Sequence, residues 1–159
     1  MPNWIEGTLK LRGKREDIRR FLKNEIAASN WYGESTDVSE QVIDDSGDDY
    51  LDFTFKDEPW IKDTRRAFIT SKYFFMTEEY GVAVFDIKQA WSFNATDEDL
   101  ERWKEISQKY KVDLKLYGIE CGVGFCHEII ITDEGNRVIE NEIQYENWDW
   151  DCPFPNMGG

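Results

Sequence analysis

The sequence is short of the residues on which most small-protein chemistry is built. Among 159 residues there are three cysteines, one histidine and four prolines. Three thiols, Cys121, Cys126 and Cys152, are odd in number and too sparse for a secreted disulfide framework, so reduced thiols are expected. Together with His127 they make the four soft ligands that zinc takes, yet no Cys-x-x-Cys pair exists. Cys126 and His127 are also neighbours in a predicted strand, where successive side chains point to opposite faces. That geometry separates them as nucleophile and base too. Neither a metal nor a cofactor is expected. Long apolar runs are missing: nothing approaches the ~18 uninterrupted apolar residues of a bilayer span. The start, Met1-Pro2-Asn3-Trp4-Ile5-Glu6, has no basic region leading into an apolar one. A cytoplasmic protein without membrane partners is the expectation.

Positive charge is the other deficit. There are 19 Lys and Arg against 33 Asp and Glu, for a net charge of −14. Proteins hold nucleic acids and anionic membrane surfaces chiefly through Lys and Arg, so direct binding to either runs against this balance. The charge is uneven: residues 31–60 carry −9 and residues 111–159 carry −7, while residues 1–30 and 61–75 carry +3 each. Two acidic regions result, the stretch Asp44-Asp45-Ser46-Gly47-Asp48-Asp49 followed by Asp52, and the segment from Glu128 to Asp151. The first does not read as an EF-hand loop. Counting from Asp44, the sixth and twelfth positions hold Asp49 and Phe55, where Gly and Glu are needed.

What the chain does have is core-forming material, with 40% hydrophobic and 15% aromatic residues, which excludes a disordered acidic tail. Ile5, Leu9 and Leu11 alternate with polar residues as in a half-buried strand that Gly13 ends. Ile18, Phe21, Leu22 and Ile26 then fall on one face of a helix whose other face carries Arg19, Arg20 and Lys23. Residues 30–49 keep no period and read as a long loop or weak edge strand. Leu51, Phe53 and Phe55 mark a second strand closed by Pro59, and Lys62 to Phe75 fits either strand or helical turn. Val82 to Ile87 reads as a central strand. Thr96 and Asp99 form a capping-box pattern before a helix with Leu100, Trp103, Ile106 and Tyr110 on its buried stripe. Val112, Leu114 and Leu116 alternate again. His127 to Thr132 and Val138 to Tyr145 form an antiparallel pair around a turn at Asp133-Glu134-Gly135-Asn136. The order predicts an α+β fold with two helices packed on a mostly antiparallel sheet. Residues 1–147 make one domain with an acidic loop near 30–50, and residues 148–159 make an aromatic-acidic tail.

His127-Glu128 lacks the second His of a metalloprotease helix. Gly122-Val123-Gly124 is too short for a dinucleotide loop and reads as a close backbone approach. Three islands carry a resemblance instead: Met1-Pro2-Asn3-Trp4, Ala90-Trp91-Ser92-Phe93 before the acid-capped helix, and Tyr117-Gly118-Ile119-Glu120-Cys121-Gly122-Val123-Gly124-Phe125. In this order they resemble the YubB ferredoxin-like family of plasmid- and phage-borne proteins. The resemblance implies a ferredoxin-like sandwich, a gene of a mobile element and a bacterial host cytoplasm. It implies no activity.

Without a catalytic signature, the expected function is an acidic binding module, not an enzyme. It would inhibit a nucleic-acid-handling host defence protein, a CRISPR effector or restriction enzyme, by presenting a nucleic-acid-like negative surface to a basic groove. The candidate contact residues are Asp44, Asp45, Asp48, Asp49 and Asp52 in the loop region, and Glu146, Trp148, Asp149, Trp150 and Asp151 in the tail. In the tail, covering the sheet is the first use expected of the aromatics, since large rings are costly to leave exposed, and the alternative is that Trp side chains inside an acidic rim suit a basic partner. Two other classes stay open. One is a small-ligand-binding or enzymatic protein with a cleft near Trp91, Tyr117 and Glu120. The other is an assembly factor whose basic helix, Arg15 to Lys23, meets the acidic loop or tail of another copy. The sequence leaves the oligomeric state open.

Overall fold

A computed structural model of the protein describes residues 3–29, 35–36, 42–47, 50–54, 58–132 and 138–158. The first alternating stretch forms β1 (Trp4–Lys14), and the 3.6-residue pattern that follows forms α1 (Arg15–Glu25). Five short strands come next: β2 (Ile26–Ser29), β3 (Ser35–Thr36), β4 (Val42–Gly47), β5 (Tyr50–Thr54) and β6 (Glu58–Ile61). Two long strands, β7 (Ala67–Met76) and β8 (Tyr80–Ala90), lead to α2 (Asp97–Tyr110). The chain closes with β9 (Asp113–Glu120), β10 (Phe125–Ile131), β11 (Val138–Gln144) and a single turn, α3 (Trp148–Asp151).

Nine strands join one open sheet in the order β11-β10-β9-β1-β8-β7-β6-β2-β3, while β4 and β5 form a separate hairpin. Every pairing among the described residues is antiparallel. Ile5, Leu9 and Leu11 of β1, Phe85 and Ile87 of β8 and Leu114 and Leu116 of β9 turn to one face and are fully buried or nearly so. That face is covered by Ile18, Phe21 and Leu22 of α1, by Trp103, Ile106 and Tyr110 of α2, and by Phe53 of β5. Rings of Phe21, Phe53 and Phe74 pack around Phe85 at centroid distances of 5.9–6.2 Å. Thr96 caps α2 as its spacing predicts: its hydroxyl accepts from Asp99 N, and the Asp99 carboxylate accepts from Thr96 N at 2.9 Å.

The architecture is therefore α+β with two helices packed on an antiparallel sheet, but the sheet is far richer in strands than the two-helix ferredoxin-like sandwich that was expected. Several local expectations change for identifiable reasons. Gly13 does not end β1; the strand runs on through the Gly13–Gly81 register pair to Lys14. Pro59 does not close a strand but lies within β6. It is tolerated because β6 meets β7 only at Trp60 and Ile61, so the missing N–H of Pro59 breaks no ladder on that side. Of the two readings open for 62–75 the strand is found, as β7 from Ala67, and within the stretch read as a long loop or weak edge strand β3 is the last strand of the sheet order and β4 pairs with β5. The turn at Asp133-Glu134-Gly135-Asn136 lies outside the described residues, although β10 and β11 pair from Phe125–Gln144 to Ile131–Val138. Among the described residues no helix is long and apolar enough to cross a membrane.

Candidate functional site

The end of the sheet at β11 carries two acids of the acidic C-terminal segment, Glu140 and Glu142. Its register places Glu142 opposite His127 and Glu140 opposite Ile129, a fully buried core residue, so both carboxylates lie on the helix-bearing face. Ile139, Asn141 and Ile143 point the other way, and Asn141 donates to Glu128 at 3.2 Å. Between Val138 and Gly158 the sequence holds five acids, Glu140, Glu142, Glu146, Asp149 and Asp151, and neither Lys nor Arg. All five are exposed.

The tail folds back onto the sheet face opposite the helices. Trp148 stacks edge-on against Tyr145 at 5.6 Å, and its indole N–H donates to Pro155 O at 2.8 Å. Cys152 and Ile119 are buried beneath it with Cys126, and the Cys121 thiol donates to Gly158 O. One turn of α3 is enough to split the two tryptophans: Trp148 turns inward, while Trp150 is 84% exposed among Asp149 and Asp151. Phe154 is also exposed.

The other acidic region is placed differently. Asp48 and Asp49 lie outside the described residues, and Asp44 and Asp45 lie on β4, with Asp44 in register with Asp52 of β5. Asp52 pairs with Lys72 at 3.0 Å and accepts from Phe53 N at 2.7 Å, so its charge is locally matched.

Of the expected cleft residues, Trp91 and Glu120 line one groove of about 720 Å³, together with Asn3, Asn94, Val123 and Glu142. Trp91 holds a left-handed φ of 75°, its N–H donates to Asn3 O at 2.8 Å, and the Arg65 guanidinium lies 5.9 Å from its ring centre. A bulky residue in that region is strained, and such strain is found at binding sites. Glu120 is fully buried and accepts from Gly122 N at 2.8 Å and Val123 N at 2.7 Å, which fixes the β9–β10 turn. At Gly122 a Cβ would come within 2.5 Å of the Asn3 amide, so a larger residue there would displace that side chain. Tyr117 does not join this groove. Three residues before Glu120 on the same strand, it faces the opposite side and contacts the Cys126 layer.

Titratable groups near the edge respond to these surroundings. Burial holds His127 below its ordinary 6.5 against the pull of Glu140 and Glu142; its ring stacks on Phe93 at 6.4 Å and its Nδ1 has no hydrogen-bond partner. Hydrogen bonds from Lys115 and Asn141 lower Glu128. Tyr117 is raised by its hydrogen bond with Cys126 and by burial, and burial raises Cys126.

No family model, curated protein or solved structure matches this chain. Glu140 and Glu142 were not among the candidate residues singled out from the sequence, although they lie within the acidic segment from Glu128 to Asp151. Their signal was present as two acids at period 2 in a predicted terminal strand.

Proposed function

We propose that this protein is an acidic binding module of a mobile element that inhibits a host defence protein, a CRISPR effector or restriction enzyme, by occupying its nucleic-acid groove. The observation that carries the reading is the segment from β11 through α3: it holds five exposed carboxylates and no Lys or Arg, with Glu140 and Glu142 on the helix-bearing face and Glu146, Asp149 and Asp151 in the tail, where Trp150 is 84% exposed. Concentrated negative charge with a large aromatic anchor suits a positively charged channel, because the charges steer encounter while a ring buried on binding supplies affinity. The partner is thus a basic protein surface, not nucleic acid itself, and the place of action is the host cytoplasm. The contiguous order β9-β1-β8-β7, with α1 after β1 and α2 after β8, supports reading a ferredoxin-like unit inside the larger sheet. On that reading β2–β6 is an insertion and β10–α3 an extension, in keeping with the resemblance to the YubB family. No enzymatic activity is proposed.

The test is capture of partners from bacterial lysate by the tagged protein and by a variant carrying Glu140→Gln, Glu142→Gln, Glu146→Gln, Asp149→Asn and Asp151→Asn. Recovery of a nucleic-acid-binding enzyme that releases its nucleic acid on binding, and its loss in the variant, is the expected result. Equal recovery by both forms refutes the reading.

A second reading rests on the groove at Trp91, whose strained backbone and buried Glu120 fit a small-ligand site. Ligand-induced thermal stabilisation that Trp91→Ala abolishes is its test.

A further inference from the structure

We infer that β11 receives an extended basic segment of the partner by antiparallel strand addition, with the segment's Lys or Arg side chains facing Glu140 and Glu142. The inference rests on the acidic-module reading and specifies how its partner is held.

The backbone argument comes first. Tyr145 N donates to Gly124 O at 3.2 Å, in line with the register that pairs Gln144 with Phe125. In an antiparallel ladder hydrogen-bonded pairs alternate with non-bonded ones, so Ile143, Asn141 and Ile139 direct their amides and carbonyls to β10. Glu140, Glu142 and Gln144 then turn theirs outward. Among the described residues only β10 pairs with β11. β11 offers seven residues along this margin of the sheet.

The side chains specify the occupant. Charges on an edge strand normally discourage pairing, but here both on the helix-bearing face have one sign. A second copy added antiparallel about Asn141 would set Glu140 against Glu142, and like charges directly opposite are destabilising. A strand with cations at those positions would instead gain two cross-strand pairs. On the reverse face Ile143 is 52% exposed, so the same strand would cover it with apolar residues at alternate positions. The fitting segment alternates basic and apolar residues, and its backbone bonds give affinity while the alternation gives register.

The experiment uses the whole protein and an acetylated, amidated peptide Lys-Val-Lys-Val-Lys-Val-Lys, with affinity read by calorimetry. Opposite Glu140 and Glu142 the bonded residues are the lysines, so their amides face β11. N-methylation of the lysine amides should weaken binding about tenfold or more, since several bonds of modest net strength are lost together. N-methylation of the valine amides should leave it within about threefold. In the protein, Gln144→Ala removes the side-chain bond to Glu142 at 3.2 Å and keeps the outward N–H, whereas Gln144→Pro removes both; Gln144→Pro should reproduce the loss and Gln144→Ala should not. Should Gln144→Pro misfold, protection of the Glu142 and Gln144 amides from hydrogen exchange in the wild-type complex serves in its place. Equal effects of the two methylations, unchanged exchange, or no binding of the parent peptide overturns strand addition, including the outcome in which a lysine merely enters the Trp91 groove. The acidic reading fails separately, when Glu140→Gln with Glu142→Gln leaves binding unaltered.

Discussion

Removing the carboxylate of Glu25 should destabilise the protein by about 3 kcal/mol, a figure assembled from what each of its partners loses. Glu25 ends α1 at 3% exposure, where the helix dipole disfavours an acid. It is held there by α2: the Tyr110 hydroxyl donates to it at 2.6 Å, the Lys109 ammonium at 2.7 Å, and the Arg102 guanidinium also donates. Burial raises this carboxyl, but the bonds from Lys109 and Tyr110 and the charge of Arg102 outweigh it and leave its pKa below 4.5. In Glu25→Ala, Arg102 keeps the Lys62 carbonyl at 3.1 Å and Glu105 at 3.6 Å, so it is not orphaned. Lys109, with its side chain 57% exposed, rehydrates and forfeits only roughly 0.5 kcal/mol. Tyr110 is fully buried and loses its hydroxyl's acceptor, at roughly 1–3 kcal/mol. The cost falls at the low end for a broken buried pair, about 3 kcal/mol, equivalent to a drop in Tm of about 6–12 °C at this size. Urea denaturation followed by tryptophan fluorescence measures it, with Tyr110→Phe and the double variant completing a cycle with Glu25→Ala. A loss under about 1 kcal/mol, with Glu25→Ala and Tyr110→Phe additive, refutes the reasoning. Because the folded pKa is depressed, this stability is present above pH 4.5 and lost as the pH falls through the folded value. Glu25→Gln should lack that acid-sensitive component.

Thr96→Ala breaks the capping box of α2 and should cost about 1 kcal/mol in the same assay. At Trp91, where φ is 75° and the ring is largely exposed, Trp91→Gly should be about 1 kcal/mol more stable than Trp91→Ala, because only Gly takes that backbone without strain. His127 is held below 6.5 by burial, so its contribution is full above pH 6.5 and declines as the pH falls towards the folded value. His127→Phe, seated between Phe93 and Phe125, should flatten denaturation midpoints measured across that window.

Elements that bury one face against the helices were legible because their side chains obey a single period. Ile5, Leu9 and Leu11, the Ile18–Phe21–Leu22 stripe and the alternation through Leu114 and Leu116 all became core. β7 was not legible for two reasons. A register shift between Ile69 and Ser71 breaks its alternation, and among the described residues no helix covers the face on which Phe75 stands 66% exposed, so apolar residues occupy both sides. The pairing of β2 with β6 joins Ile26 to Ile61 across a long stretch of chain, a contact no local pattern announces.

The candidate site was legible in composition and illegible in placement. The acidic C-terminal region was plain from counting, yet Trp148 and Trp150 looked alike until one helical turn sent them to opposite surroundings. Tyr117 was grouped with Glu120 although strand alternation alone sets an odd and an even position on different faces. The left-handed φ of Trp91 leaves no trace in sequence, because only Gly and Asn advertise that conformation.

The salt dependence of partner binding tests the central claim most directly. Affinity for the captured nucleic-acid-handling protein should fall steeply between low and physiological salt, and neutralising Glu140, Glu142, Glu146, Asp149 and Asp151 should both weaken it and flatten that dependence. An affinity indifferent to salt and unchanged by the neutralised surface would contradict the account.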